Sequence, residues 1–235
     1  MSILDRLLEI DSDLETSFGN LSSKSLYSSL LDGVKLQPRV CRLYPTVDFS
    51  LIFKEIYRDF IENYVSDISW KILHEILPIN YVLYVRNISR DKTCTFCDGI
   101  ETFDHLFFDC PNTRLLVHFV SDIIFNLSRG SIGLTYSSIR HTFFDSKIFP
   151  SKYVKEVIYY LISELKFCIW MCRNCVKFDH KDYNANTILL FFISRVKNRI
   201  SLDFIRLDRD VFEMYWCHNN IICKLVDDTF EYISL

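Results

Sequence analysis

The run Cys94-Thr-Phe-Cys97-Asp-Gly99-Ile-Glu101-Thr102-Phe-Asp-His105-Leu-Phe-Phe-Asp-Cys110 sets three thiols and one imidazole in the spacing C-x2-C-x7-H-x4-C. Soft thiolates and a neutral imidazole are what Zn²⁺ prefers, and four of them complete a tetrahedron. The C-x2-C step puts two sulfurs on one tight turn, and Gly99 is placed to supply a positive φ there. Thr102 reads as the N-cap of a short helix that carries His105, with Cys110 just beyond its end. Leu106, Phe107 and Phe108 lie between the last two ligands and are suited to pack the site onto neighbouring helices. The metal ligands Cys94, Cys97, His105 and Cys110 are all protein groups, so no position is left for water or substrate. The spacing therefore predicts one structural Zn²⁺ and not a hydrolytic one.

The surrounding chain is large enough to build a core without metal. It has 235 residues, 49% apolar and 15% aromatic, with only five Gly and five Pro. Such a composition favours long helices over tight turns and argues against disorder. The net charge of −3 excludes binding of nucleic acid through bulk positive charge, so any such binding has to come from a local patch. The first residues, MSILDRLLEIDSDLE, lack the basic and apolar regions of a signal peptide. The longest apolar runs, 167–171 and 187–193, fall far short of the roughly 20 residues that span a bilayer. The expectation is no membrane segment and a nuclear or cytoplasmic location, where clustered cysteines bind metal and do not form disulfides.

Hydrophobic periodicity organises the rest. Residues 1–20 predict an acidic amphipathic helix, 20–32 a Ser-rich stretch stopped at Gly33, and Pro38 and Pro45 an irregular connection. A helix is predicted from Phe49, with Leu51, Ile52, Ile56, Phe60 and Ile61 as its apolar face. A second is predicted over 67–77, capped by Ser66 and ended by Pro78, and a third over 81–86. Pro111 suits the first turn of a helix with Leu115, Leu116, Phe119, Val120, Ile123 and Ile124 inward. Residues 128–136 read as a loop. Long helices are expected over 151–177 and 184–206, and one or two short ones within 210–232. No strand alternation or hairpin signal stands out. The fold class is all-α: a multi-helix domain with one small embedded CCHC zinc knuckle. The expected division is a leader and linker at 1–45, a zinc-binding domain at 46–127 with the knuckle at 94–110, and a C-terminal helical region at 128–235.

The flanking residues add a family resemblance. Trp70, Leu77-Pro78, Cys94-x-x-Cys97, Glu101-Thr102-x-x-His105-Leu-Phe and Cys110 together resemble the zinc-binding domain C-terminal to the reverse transcriptase of non-LTR (LINE-type) retrotransposons. The resemblance spans roughly 66–125. Further on, Trp170-x-x-Arg173-Asn174 looks like the Trp-x-x-Arg-Asn helix that often follows the knuckle in such elements. The resemblance implies a non-catalytic module of a reverse-transcriptase polyprotein that grips RNA or single-stranded DNA during target-primed reverse transcription. The chain carries no Tyr-x-Asp-Asp polymerase signature, no endonuclease set and no ribonuclease H carboxylates. This predicts a C-terminal piece of an element or a stand-alone descendant.

Other residues are weaker candidates for sites. Cys168, Cys172 and Cys175 fall on one helix face and read as core more readily than as a second metal site; Cys217, His218 and Cys223 are weaker still. Residues 164–209 hold nine cations against five carboxylates, so Arg195, Lys197 and Arg199 are candidates for phosphate contacts, or else a solvated face. Arg86, Arg90, Lys92 and Arg114 are candidates beside the knuckle. Phe96 can stack on a base or plug the site. His74, His118, His141 and His180 read as ordinary. No Gly-x-Ser-x-Gly or phosphate-cradling loop is present, so no enzyme is predicted. The competing functional class is a zinc-stabilised scaffold for protein–protein contacts, suggested by the acidic N-terminus and the abundance of aromatics.

Overall fold

Helix α1 spans Phe49–Ile56 and buries Phe49, Ile52 and Ile56. It is shorter than the periodicity predicts. The inward face is displaced to these three residues, Leu51 is exposed, and Phe60 and Ile61 reach the core from the following turn. The computed structural model describes residues 41, 49–142, 144, 146–227 and 229–235. The helix expected over 1–20, the Ser-rich stretch and the stop at Gly33 lie outside these. The described residues from 49 onward belong to one unit, Leu43–Leu235.

Helix α2 spans Asn63–Leu73, four residues earlier than predicted at each end. Ser66 is not its cap; it is buried within the first turn, and Glu62 carries the extended N-cap conformation. The chain leaves the helix well before Pro78. Glu75 takes a left-handed φ of 54°, and this reversal lets Leu77 and Ile79 insert into the core. Helix α3 follows at Asn80–Val85. After the knuckle, α4 runs Pro111–Leu127 with Pro111 in its first turn. Leu116, Val120, Ile123 and Ile124 are buried as expected, but Val117 and Leu127 take the place expected of Leu115, which is exposed. A short helix, α5 (Tyr136–His141), is closed by a reciprocal cap between Thr135 and Ser138.

The centre of the unit is α6 (Lys152–Asp179), started by Ser151, whose Oγ accepts the Val154 N–H at 3.1 Å. Every residue from Val157 to Lys166 is buried. A helix covered on all sides needs partners all round, and α2, α4, α7 (Ala185–Arg206) and α8 (Arg209–Trp216) provide them. Helix α7 is capped by Asn184, whose Oδ1 accepts the Thr187 N–H at 3.0 Å. No described helix is long and apolar enough to cross a membrane. The fold is all-α apart from one small sheet, β1 (Cys223–Val226) paired antiparallel with β2 (Thr229–Tyr232), Cys223 opposite Tyr232. This hairpin departs from the helical tail expected. Its strands are four residues long, too short for alternation to show. It is held by tertiary contact: Phe230 packs on Phe204 and Phe212.

Two of the charges that α6 buries, Glu164 and Lys166, lie near its middle. Glu164 is paired with Arg195 of α7 at 2.6 Å. Lys166 is fully buried, and among the described residues its Nζ donates to Ser69 Oγ and Thr142 Oγ1 but meets no carboxylate. Burial pushes its pKa from 10.5 down to about 7. Below pH 7 the ammonium is buried at full cost in the folded state. As pH rises from about 7 towards 10.5 the folded chain sheds this proton while the unfolded chain keeps it, so stability climbs across that window. Lys166→Met is therefore expected to stabilise the protein by about 2 kcal/mol at pH 6 and to flatten the climb. Urea unfolding at pH 6 and pH 9 measures both.

Candidate metal centre

The knuckle begins as a short hairpin. Thr93 bridges Ile100 antiparallel, and the Cys94 N–H donates to the Gly99 carbonyl at 2.7 Å. This brings Cys94 and Cys97 together on one turn, where the Phe96 N–H points at Cys94 Sγ at 3.4 Å. Thr102 then does what its position predicts: its Oγ1 accepts the His105 N–H at 3.1 Å. The chain winds through a single π-helical turn, His105–Asp109. That turn sets His105 and Cys110 on the same side, closed by the Cys110 N–H to the His105 carbonyl at 2.7 Å. Leu106 and Phe107 are buried beneath it, and Phe108 stacks on Tyr136 with ring centroids 4.3 Å apart.

The four ligand atoms converge within 4.8 Å of one another. Cys94 Sγ lies 3.9 Å and Cys97 Sγ 3.8 Å from Cys110 Sγ, and Cys97 Sγ lies 3.2 Å from His105 Nε2. Zinc–sulfur bonds of about 2.3 Å in a tetrahedron require sulfur–sulfur edges of about 3.8 Å, so the donor set fits a zinc ion. The crowding suits a cation as well. Cys94 Sγ and Cys110 Sγ share a hydrogen bond that holds the Cys110 thiol below its ordinary value, while that same bond, and then burial, push Cys94 up. Three thiolates this close are compatible only with a positive charge among them. When bound, zinc supplies that charge and ties the two halves of the knuckle together.

Gly99 departs from the role predicted for it. Its φ is not in the left-handed region. What requires glycine is space: a Cβ there would lie 2.7 Å from Cε1 of His105. Gly99→Ala is expected to push the ring off its position and weaken zinc about tenfold, measured by chelator competition.

The motif residues outside the ligand set converge as well. Glu101 is fully buried and accepts the Asn80 N–H at 2.8 Å, the Thr95 N–H at 2.8 Å and the Thr95 hydroxyl at 2.7 Å. Its other partner is Arg173 of α6, whose Nη2 lies 2.7 Å away. The guanidinium sits 5.0 Å over the Trp170 ring and donates to Asn174 Oδ1 and Asn80 Oδ1. Glu101, Trp170, Arg173 and Asn174 thus form one buried joint that fixes the knuckle to the central helix. Burial pushes the Glu101 carboxyl up, but Arg173, Thr95 and Asn80 more than offset it and hold the group below its ordinary value.

The basic candidates separate. Arg86, Arg90, Lys92 and Arg114 are exposed around the knuckle. Arg114 donates to the Asp109 carbonyl at 3.1 Å, and Lys92 lies 5.3 Å over the Tyr84 ring. On α7, Arg195 is held by Glu164 and the Tyr64 hydroxyl, Arg199 by Asp203 and Glu62, and Lys197 lies over Tyr232. Phe96 is half-buried and packs against the core. Cys168 and Cys172 are core residues, and among the described residues Cys168, Cys172 and Cys175 join no metal-holding cluster. His74 stacks between Phe53 and Trp70. The residues that sequence reasoning missed are Asn80 and Thr95; nothing in their local pattern marks them, because their partners come from distant segments.

Residues 22–116 match the family described as zinc-binding in reverse transcriptase. No curated protein matches the chain, and no solved structure does.

Proposed function

We propose that this chain, whose residues 22–116 match the family described as zinc-binding in reverse transcriptase, is a non-catalytic module that holds RNA or single-stranded DNA in support of reverse transcription. The observation that carries the reading is the way the knuckle is mounted. Its four ligands are all protein groups, so zinc serves the fold and performs no reaction. The buried Glu101–Arg173 joint then fixes the knuckle rigidly to α6, while Arg86, Arg90, Lys92 and Arg114 face solvent. A rigid mount with outward cations suits phosphate contact. Carboxylates pair with Arg195 and Arg199, and the third α7 candidate, Lys197, lies over the Tyr232 ring, which favours the knuckle side as the contact surface. The working environment is the reducing nucleus or cytoplasm, where thiolates are available to metal.

The test is fluorescence anisotropy of the zinc-loaded full chain with a labelled 20-nucleotide RNA and its DNA equivalent. Binding is expected at low salt, with log affinity falling against log salt by about 0.7 per phosphate contact. Lys92→Gln and Arg114→Gln should each reduce that slope, while the slope is insensitive to Lys197→Gln. Absence of binding at low salt with zinc bound would overturn the reading.

A further inference from the structure

Helix α3 and the turn that follows it expose an aromatic and apolar stripe. Tyr81 is 41% exposed, Tyr84 42% and Ile88 68%. Positions three and four apart lie on one side of a helix, so Tyr81 and Tyr84 share one side of α3. Cations are interleaved with them. Lys92 Nζ lies 5.3 Å over the Tyr84 ring, and Arg86 and Arg90 are exposed with no carboxylate partner among the described residues. Over 80–92 three cations face one carboxylate, Asp91, which accepts the Thr93 N–H at 2.8 Å.

The stripe continues onto the end of α6. Lys177 Nζ donates to Asn80 Oδ1 at the start of α3 and lies 6.0 Å over the ring of Phe178, which is 65% exposed. Tyr81 is anchored beside it, since its N–H donates to the Glu101 carbonyl, and the Glu101 N–H donates to the Lys92 carbonyl. The buried joint therefore ties α3, the segment carrying Lys92 and the end of α6 to one another. In a chain of net charge −3, this is a local excess of positive charge built around aromatic faces.

We infer that Tyr81, Tyr84 and Phe178 form a stacking platform for successive bases of a single-stranded polynucleotide, with Arg86, Arg90, Lys92 and Lys177 on its phosphates. The inference rests on the nucleic-acid reading above and deepens it. Every base offers a π-face, so the platform reads single-strandedness and not sequence; a duplex keeps those faces stacked inside. Lys92 and Lys177 lie over ring faces in the free chain, and their flexible stems let them swing from the face to a phosphate when a base takes it.

The experiment uses the zinc-loaded full chain with labelled U20 RNA, dT20 and a 20-base-pair duplex. Single strands should bind tighter than the duplex. Tyr84→Ala and Tyr81→Ala should each weaken them about tenfold without changing the salt slope, and Tyr84→Phe should restore the loss. Lys92→Ala and Arg86→Ala should lower the slope by about 0.7 each. These side chains are exposed, so zinc content and circular dichroism serve as controls for folding. Preference for RNA over DNA, or the reverse, is compatible with the platform and identifies its natural strand. If wild type binds and the tyrosine variants bind equally well, the platform is wrong while the nucleic-acid reading stands. Equal affinity for duplex overturns stacking. If no oligonucleotide binds but the chain self-associates on sizing chromatography, and Tyr81→Ala/Tyr84→Ala abolishes it, the face is a protein surface and both readings fall.

Discussion

In an Arg173→Met variant the unfolding free energy drops by about 3–5 kcal/mol. The loss comes from what is left behind. Glu101 stays fully buried, and its carboxylate keeps only the N–H groups of Asn80 and Thr95 and the Thr95 hydroxyl as donors. The missing guanidinium raises the pKa of Glu101. In wild type that pKa lies below its ordinary value, so the pair contributes fully above about pH 4.5 and its contribution fades as pH falls through the folded pKa. The variant loses this acid-side dependence, which urea unfolding at pH 4 and pH 7 detects. A second arm tests whether the joint is more than an ion pair. Replacing both partners, Glu101→Leu with Arg173→Met, removes the uncompensated charge but orphans two backbone N–H groups, each costing about 1–3 kcal/mol. The double variant should therefore recover only part of the loss. Full recovery would reduce the joint to a simple charge pair, and a loss below about 1 kcal/mol in Arg173→Met would show that the knuckle is not fixed to α6 in this way.

What the chain discloses before folding follows the range of each interaction. The ligand spacing of 94–110 is legible because metal geometry is satisfied within a few turns. The caps at Ser151 and Asn184 and the proline at 111 are legible for the same reason, and so is Thr102, whose hydroxyl serves the very turn that carries His105. Glu101 and Arg173 are readable singly, in two separate motifs, but not as partners, because 72 positions separate them. Ser66 has the chemistry of a cap and is buried instead, since the demand to place Val65 and Ile68 in the core shifts the helix start. Charge counting over 164–209 overstated the free cations of α7: the carboxylates that hold Arg195 and Arg199 include Glu62, far outside that window. The stripe of α3 is invisible in composition because it depends on which tyrosines face outward.

Removing zinc is expected to have the most concentrated effect. The purified chain should carry about one zinc ion, lost in a Cys94→Ser, Cys97→Ser double variant or on treatment with a chelator. Metal loss should cost several kcal/mol, yet the helical signal should largely persist. The core around α6 is built from α2, α4, α7 and α8, and among the described residues its apolar cluster contains no zinc ligand. The knuckle's own backbone pairing is sparse, although the Glu101–Arg173 joint and the buried Leu106 and Phe107 still tether it. Its hairpin is one bridge between Thr93 and Ile100, and its π-turn lacks the regular ladder of a helix. Without a cation, the buried sulfurs near Cys110 favour protonation and separation. Acidification should release the metal by the same route, because protons compete for thiolate and imidazole. The damage extends one step further. Cys110 is also the residue that starts α4: its carbonyl accepts the N–H groups of Thr113 and Arg114 at 3.0 and 2.9 Å. Hydrogen exchange should therefore show protection lost over 93–110 and in the first turn of α4, while Val157–Lys166 stays protected. Metal-free wild-type protein, or a stripped knuckle as protected as the loaded one, would sink the assignment of zinc as the element that holds this segment in shape.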